Sequence, residues 1–341
     1  MIDFTDWSLA TASIVLGVSA LLLVVTGVRF TRLIDRMADR LGIGEALAGA
    51  VLLGATTSLP GLIVTTLAAS RGEADLAVSN ALGGIAAQTM FLALADIAYR
   101  RANLEHAAAS LSNLLQTMVL VSLVALVLLA RFGPPMTVAG VHPVSVLLVV
   151  VYVYGLRLTQ RSRAGPMWRP HRTPETRPDV PAAENATAPL GAMLLSFAGL
   201  GSVVAVCGFA IAQAGLVVVD RTEVSGTLVG GLLTSVVTSL PELVTALAAV
   251  RAGALTLAVG NIVGGNTFDV LFVSVADAAY RDGSLYAAIG DRTVFLLALT
   301  LLLTGILAAG LLYRQRSGIG FEGATILVVY VVGFALLAGM R

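Results

Sequence analysis

Two acids stand where acids are costly. Glu242 follows Pro241 inside the apolar run TSVVTSLPELVTALAAV, and Asp269 lies in a second apolar run, AVGNIVGGNTFDVLFV. A carboxylate in the middle of a membrane-length apolar segment costs at least about 2.5–3.5 kcal/mol on insertion scales, so such groups mark ion or proton pathways. The residues around them have the chemistry of a cation site. Pro241 brings no N–H to the helix, so the carbonyl of Val237 is expected to lose its partner; Pro60 does the same to Thr56 in the related run GATTSLPGL. A carbonyl freed at membrane depth must be satisfied again, and a dehydrated cation can do it. Thr57, Ser58, Thr238 and Ser239 fall in the same turns and offer hydroxyl oxygens. Hard cations such as Ca²⁺ take about six to eight oxygens from carboxylates, carbonyls and water. Asp269 comes three residues after Asn266, on the same face of a helix.

Each feature also has a plainer reading. A lone proline is ordinarily a packed kink, helical hydroxyls ordinarily bond back to their own turn, and the pairs Gly83-Gly84 and Gly264-Gly265 ordinarily serve close packing. The buried acids, and the recurrence of the pattern in both halves of the chain, favour a site. Asp96 and Asp277 each precede an arginine by four residues, Arg100 and Arg281. They are read as i,i+4 ion pairs at helix ends, not as a proton relay. Glu45 and Glu223 suit helix starts, and Tyr99 and Tyr280 suit an interfacial aromatic belt.

The elements that must hold these groups are apolar helices. The chain has 341 residues, of which 57% are hydrophobic and 12% charged, with a mean hydropathy of +0.91. This composition describes a polytopic α-helical membrane protein. A net charge of +1 leaves no footprint for nucleic acid, and the single Cys207 excludes an intrachain disulfide or a multi-cysteine metal site. No nucleophile–base pair and no histidine cluster falls within the helices, so an enzyme is not expected, and neither is a cofactor. Ten spans are predicted, at 8–28, 44–70, 74–99, 106–131, 143–159, 189–216, 225–250, 255–280, 286–312 and 320–340. Arginines gather after the first, third, fifth and ninth, which puts those ends in the cytoplasm and both termini outside, in the plasma (inner) membrane. Residues 160–188 are rich in Pro and Arg without apolar periodicity and read as a cytoplasmic linker.

The linker separates two related halves, 1–159 and 189–341. A constant offset of 181 aligns Thr57-Ser58-Leu59-Pro60 with Thr238-Ser239-Leu240-Pro241, Asn80 with Asn261, and Asp96 with Asp277; about nineteen of the forty-four positions from Thr57 to Arg100 are identical. Five helices per half invert the second copy. The predicted fold class is therefore an all-α membrane protein, with ten transmembrane helices as two inverted five-helix repeats. Inverted repeats with interrupted helices belong to secondary transporters, whose sites lie where the repeats meet.

TSLPE followed by GNxxGGNxFD resembles the two α-repeats of the calcium/cation antiporter superfamily, the sodium/calcium exchanger group in particular. The resemblance covers all ten helices. It implies alternating-access exchange of cations, Ca²⁺ against Na⁺ or H⁺, with inorganic cations and the lipid bilayer as the only partners. Carried over residue by residue, it implies cation ligands at Thr238, Ser239, Glu242 and Asp269, at Thr57 and Ser58, and at Gln88. The backbone carbonyls of Thr56 and Val237 complete the set. The chain departs from the pattern at Gly61, where the first repeat should carry its acid, and at Gly84, Ile85 and Gly265. Two carboxylates in place of three predict near-electroneutral exchange, and predict that Gly61→Glu makes flux more voltage-dependent. The alternatives are a monovalent cation or proton exchanger without Ca²⁺ transport, and a non-transporting sensor or assembly subunit on the same scaffold.

Overall fold

In the computed structural model, described for residues 7–41, 54–98, 104, 110–164, 189–252, 255–313 and 319–340, the regular structure of the described residues is helical apart from a single β-bridge between Val138 and Val141. In chain order the helices are α1 (Leu9–Leu41), α2 (Gly54–Thr57), α3 (Leu59–Ser70), α4 (Ala74–Ala98), α5 (Leu111–Phe132), α6 (Pro143–Ala164) and α7 (Leu190–Arg221). After them come α8 (Gly226–Leu228), a π-turn (Val229–Thr234), α9 (Ser235–Thr238), α10 (Leu240–Ala252), α11 (Leu255–Asp269), α12 (Leu271–Ala279), α13 (Leu285–Ala288), α14 (Asp291–Leu312) and α15 (Phe321–Gly339). Among the described residues eight spans are long and apolar enough to cross a bilayer, or nine when Gly226–Thr238 and Leu240–Arg251, bent by 44°, count as one. The remaining predicted span, 44–70, is described only from Gly54 onward, and there as a short pair, α2 and α3.

Burial differs widely among the spans. The span Ala74–Ala98 and the span Ala258–Ala279 are each 78% buried, whereas Leu9–Ile34 is 28% and Pro143–Ser162 is 22% buried. A helix apolar all round belongs in the interior of a bundle, and these two are the ones that carry Asn80 and Gln88, and Asn261 and Asp269. Glycine lets them sit deep: a Cβ at Gly83 would run into the backbone of Gly231, so α4 and the π-turn touch backbone to backbone. Large apolar side chains such as Leu21, Leu129, Leu195 and Val206 stay exposed on the outer helices, as lipid-facing positions require.

The two TSLP motifs break their helices at the same place. Ser58 (φ −78°, ψ −8°) separates α2 from α3, and Ser239 (φ −92°, ψ 3°) separates α9 from α10. The proline two residues later has no N–H to continue the ladder. Leu62 and Leu243 pick it up again on the carbonyls of Ser58 and Ser239, at 3.1 and 3.3 Å. A glycine of an outer helix lies against each break: a Cβ at Gly27 would come 3.1 Å from Cα of Pro241, and one at Gly208 would come 2.8 Å from Cα of Pro60. Gly27 and Gly208 are themselves 181 apart.

Several expectations need correction. The first helix does not stop at 28 but runs to Leu41, because Phe30, Leu33, Ile34 and Met37 keep the i, i+3, i+4, i+7 spacing and are buried. The fourth begins at Leu111, where the Ser110 hydroxyl accepts from the N–H of Asn113 at 3.0 Å, as an N-cap does. Tyr280 is buried, at 7% exposure. The fifth predicted span does not end at 159 but runs on to Ala164, so the first five residues of the predicted linker are helical; Tyr99, Glu45 and residues 165–188 lie outside the described residues. Asp277 does not pair with Arg281. Its Oδ2 accepts the His142 N–H and the Ser145 hydroxyl, each at 2.7 Å, tying the end of α12 to the start of α6. A buried carboxylate takes the donors that are buried with it, and Arg281 is exposed. Asp96 likewise accepts the Leu104 N–H at 2.7 Å; Arg100 lies outside the described residues.

Candidate cation site between the two broken helices

The breaks turn their hydroxyls inward. Ser58, Thr238 and Ser239 are 4%, 4% and 3% exposed and line one pocket with Glu242, Asp269 and Gln88. Glu242 sits in the first turn of α10 and Asp269 at the last position of α11, before an interruption at Val270. The elements on the opposite wall are α3 and α4, which bring Gly61, Asn80, Ala81 and Gly84; Phe272 of α12 closes the side. No basic side chain lines the pocket.

One hydroxyl crosses between the halves: Ser58 donates to Glu242 Oε1 at 3.3 Å. Gln88 Nε2 donates to Asp269 Oδ2 at 2.7 Å and reaches Ser239 Oγ at 3.5 Å. A Cβ at Gly84 would stand 3.5 Å from Ser239 Oγ and 3.9 Å from Asp269 Oδ2, so the glycine keeps that wall thin.

Some oxygens of the lining residues are left over. Glu242 Oε2, Asp269 Oδ1 and Gln88 Oε1 are buried and have no hydrogen-bond partner among the described residues. Buried polar atoms are ordinarily satisfied. Three unsatisfied oxygens, two of them on acids, on residues that line a pocket without a basic group are of the kind a hard cation takes, and fewer than its full set.

Six of the nine predicted residues thus line one pocket: Ser58, Gln88, Thr238, Ser239, Glu242 and Asp269. Thr57, 2% exposed, does not line it. Thr56 and Val237 do not line it; the Val237 side chain packs toward α1 and α7 instead. Sequence reasoning missed Asn80, whose Nδ2 donates to the Gly61 carbonyl at 3.1 Å and to Thr65 Oγ1 at 3.0 Å while its Oδ1 accepts from Thr234 at 2.7 Å. It also missed Phe272. Both recur across the repeat, as Asn261 and Phe91, and that recurrence was the available signal. Asn261 and Asn266 do not line the pocket: they donate to Thr245 and Thr89, each at 3.2 Å.

The chain is similar to known proteins along its length. The family model "Sodium/calcium exchanger protein" matches residues 11–158 and 192–338. The Inner membrane protein YrbG of Escherichia coli (strain K12) is 28% identical over 337 residues, covering 96% of this chain and 97% of that protein. Among solved structures, the sodium-calcium exchanger NCX_Mj soaked with 100 mM Na⁺ and 10 mM Sr²⁺ superposes with a TM-score of 0.65 at 18% identity, over 98% of this chain and 100% of that one. The same exchanger soaked with 2.5 mM Na⁺ and 0.1 mM Ca²⁺ gives a TM-score of 0.63 at 18% identity, over 93% and 95% of the two chains. These likenesses give the fold. With an exchanger-family match across both halves of a helical chain built to span a membrane, the protein is a multi-pass member of the sodium/calcium exchanger protein family.

Proposed function

We propose that the chain is a secondary antiporter that moves Ca²⁺ against Na⁺ or H⁺ by alternating access. The observation that carries this reading is the pair Glu242 and Asp269, lining one pocket, with an unpartnered oxygen on each acid and on Gln88. Membership of an exchanger family and the likeness to NCX_Mj support it. In this reading Glu242 and Asp269 supply the charge, and Ser58, Thr57, Thr238, Ser239 and Gln88 supply neutral oxygens. The carbonyls of Thr56 and Val237 join when the site opens or closes. Ten helices form two inverted repeats, 1–164 and 189–341, around a cytoplasmic linker at 165–188. Both termini face outward across the plasma (inner) membrane.

Charge balance sets the stoichiometry. Two carboxylates are neutralised by one divalent cation, by two Na⁺ or by two protons. An uncompensated third charge in a low-dielectric site costs several kcal/mol. Exchange is then close to electroneutral.

The test is a melting experiment on purified protein with Ca²⁺, Na⁺ or neither, followed by ⁴⁵Ca²⁺ flux in proteoliposomes. A ligand that binds only the folded state adds about 2.7 kcal/mol at a hundredfold excess over its Kd. Stabilisation by Ca²⁺ and by Na⁺, with Na⁺-driven or pH-driven Ca²⁺ uptake, is the expected result. Stabilisation by Na⁺ alone identifies a monovalent exchanger. No stabilisation and no flux overturns the antiporter reading in favour of a non-transporting scaffold.

A further inference from the structure

The offset of 181 places Gly61 opposite Glu242 and Phe91 opposite Phe272. The two phenylalanines occupy the same position of the repeat and are equally buried, at 3% exposure each. They do not do the same thing. Phe272 lines the pocket and Phe91 does not.

The difference follows the glycine. A Cβ built on Gly61 would stand 3.1 Å from Cε2 of Phe272, and no other atom comes as near; Thr238 Oγ1 is next at 3.7 Å and Asn80 Nδ2 follows at 3.9 Å. The ring therefore occupies the room into which a side chain at 61 would grow. Helix geometry brings it there. Asp269 and Phe272 are three residues apart and share a face. The helix between them is interrupted at Val270, with Val273 N–H bonding the Val270 carbonyl at 3.1 Å. The matching helix of the first half, α4, is continuous through Gln88 and Phe91.

The ring is also held from behind. Phe272 meets Phe268 edge-on at 5.8 Å and 90°, and Phe268 in turn leans on Tyr152 at 6.1 Å. Edge-to-face aromatic pairs favour fixed geometry, and a close-packed interior gives such a ring little room to swing aside.

We propose that Phe272 is a specificity-determining residue: by filling the space beside Gly61 it closes the third carboxylate position and fixes the charge capacity of the pocket at two. This rests on the antiporter reading above. It changes the expectation for Gly61→Glu, because a carboxylate introduced at 61 meets the ring before it reaches the cation. The substitution alone is an overpacking change, and the third ligand works only when the ring is shortened too.

The experiment measures the number of Na⁺ moved per Ca²⁺, from reversal of ⁴⁵Ca²⁺ flux against set Na⁺ gradients and a clamped potential. It uses the full chain and the variants Gly61→Glu, Phe272→Ala, Gly61→Glu/Phe272→Ala and Phe91→Ala. By charge balance the native chain, Gly61→Glu, Phe272→Ala and Phe91→Ala couple about two Na⁺ per Ca²⁺, and the double variant couples about three and moves net charge. Should the Phe272→Ala background not fold, Phe272→Leu replaces it, and the slope of the Na⁺-dependent melting shift in detergent gives the same count. A ratio of about three in Gly61→Glu alone, or of about two in a folded double variant, overturns the role of Phe272 while leaving the antiporter intact. A native chain that neither binds nor moves Ca²⁺ or Na⁺ removes both readings together.

Discussion

The first-half stretch from Thr57 to Gln88 and the second-half stretch from Thr238 to Asp269 descend from one pattern and now carry different burdens. The first half has its asparagine fully engaged. Asn80 makes all three of its hydrogen bonds, to Gly61, Thr65 and Thr234. What this half shows the pocket is neutral: the Ser58 hydroxyl, the Gln88 amide, and the bare backbone of Gly61 and Gly84. The second half keeps both acids and leaves oxygens open, on Glu242 and Asp269 and also on Asn261 and Asn266. A duplicated scaffold thus allows its copies to divide the work, one providing donors and form, the other charge.

The sharpest way to break this division is to remove the charge. Glu242→Gln or Asp269→Asn is expected to abolish cation-dependent stabilisation, the roughly 2.7 kcal/mol available at a hundredfold excess of ligand, in a melting assay with Ca²⁺ and Na⁺. Retention of the shift in either variant would mean that the second half does not supply the charge. The next largest effect falls outside the pocket. Asp277→Asn weakens the ties to His142 and Ser145 and should cost about 1.5–3 kcal/mol of stability, since hydrogen bonds to a charged group are worth that much. The cation-dependent shift should survive it, and equal loss of that shift would bring Asp277 into the site.

Asparagine substitutions sharpen the contrast further. Asn80→Ala removes a fully used amide and strands the Gly61, Thr65 and Thr234 groups, whereas Asn261→Ala removes a side chain with one bond to Thr245. The first should cost about 2–3 kcal/mol and the second about 1 kcal/mol in chemical denaturation. The reverse order would show that the first half is not the more tightly tied.

The smallest effect is a pH dependence at the helix end. Burial, and then the charges of Asp220 and Asp75, raise the pKa of Glu73 above its ordinary 4.5. An acid whose folded pKa is raised binds protons better when folded, so its contribution to stability increases as pH falls through the raised pKa toward 4.5 and declines as pH rises. Glu73→Gln should flatten that slope in melting curves taken between neutral and mildly acidic pH.

Much of this architecture was legible in the sequence. Prolines and acids inside apolar runs cannot hide, so the helix breaks at Ser58 and Ser239 and the meeting of Glu242 with Asp269 followed from composition and spacing. The repeat offset gave the correspondence of the halves. What escaped was of three kinds. The length of α1 was concealed because Arg29, Arg32, Arg36 and Arg40 ended the apolar block while Phe30, Leu33, Ile34 and Met37 quietly continued the helical period. The partners of Asp277 were concealed because they lie 132 and 135 residues away in the chain, and a nearby arginine offered a simpler local answer. Phe272 was concealed for a third reason. An apolar residue in an apolar run carries no signal until the space beside Gly61 is seen.

Where Gly208 rides over Pro60, the preceding residue is Cys207, the chain's one cysteine, 3% exposed. That position turns the seam between α7 and the break at Ser58 into a chemically addressable place. An alkylating reagent has a single thiol to find in an unmodified chain, so the mass added per molecule is one label or none. Buried against apolar neighbours, the thiol reacts only as fast as it is uncovered and ionised. The time course of labelling is then a clock for the parting of that seam. It needs no engineered probe, and it can be run with and without cation on the protein as it stands.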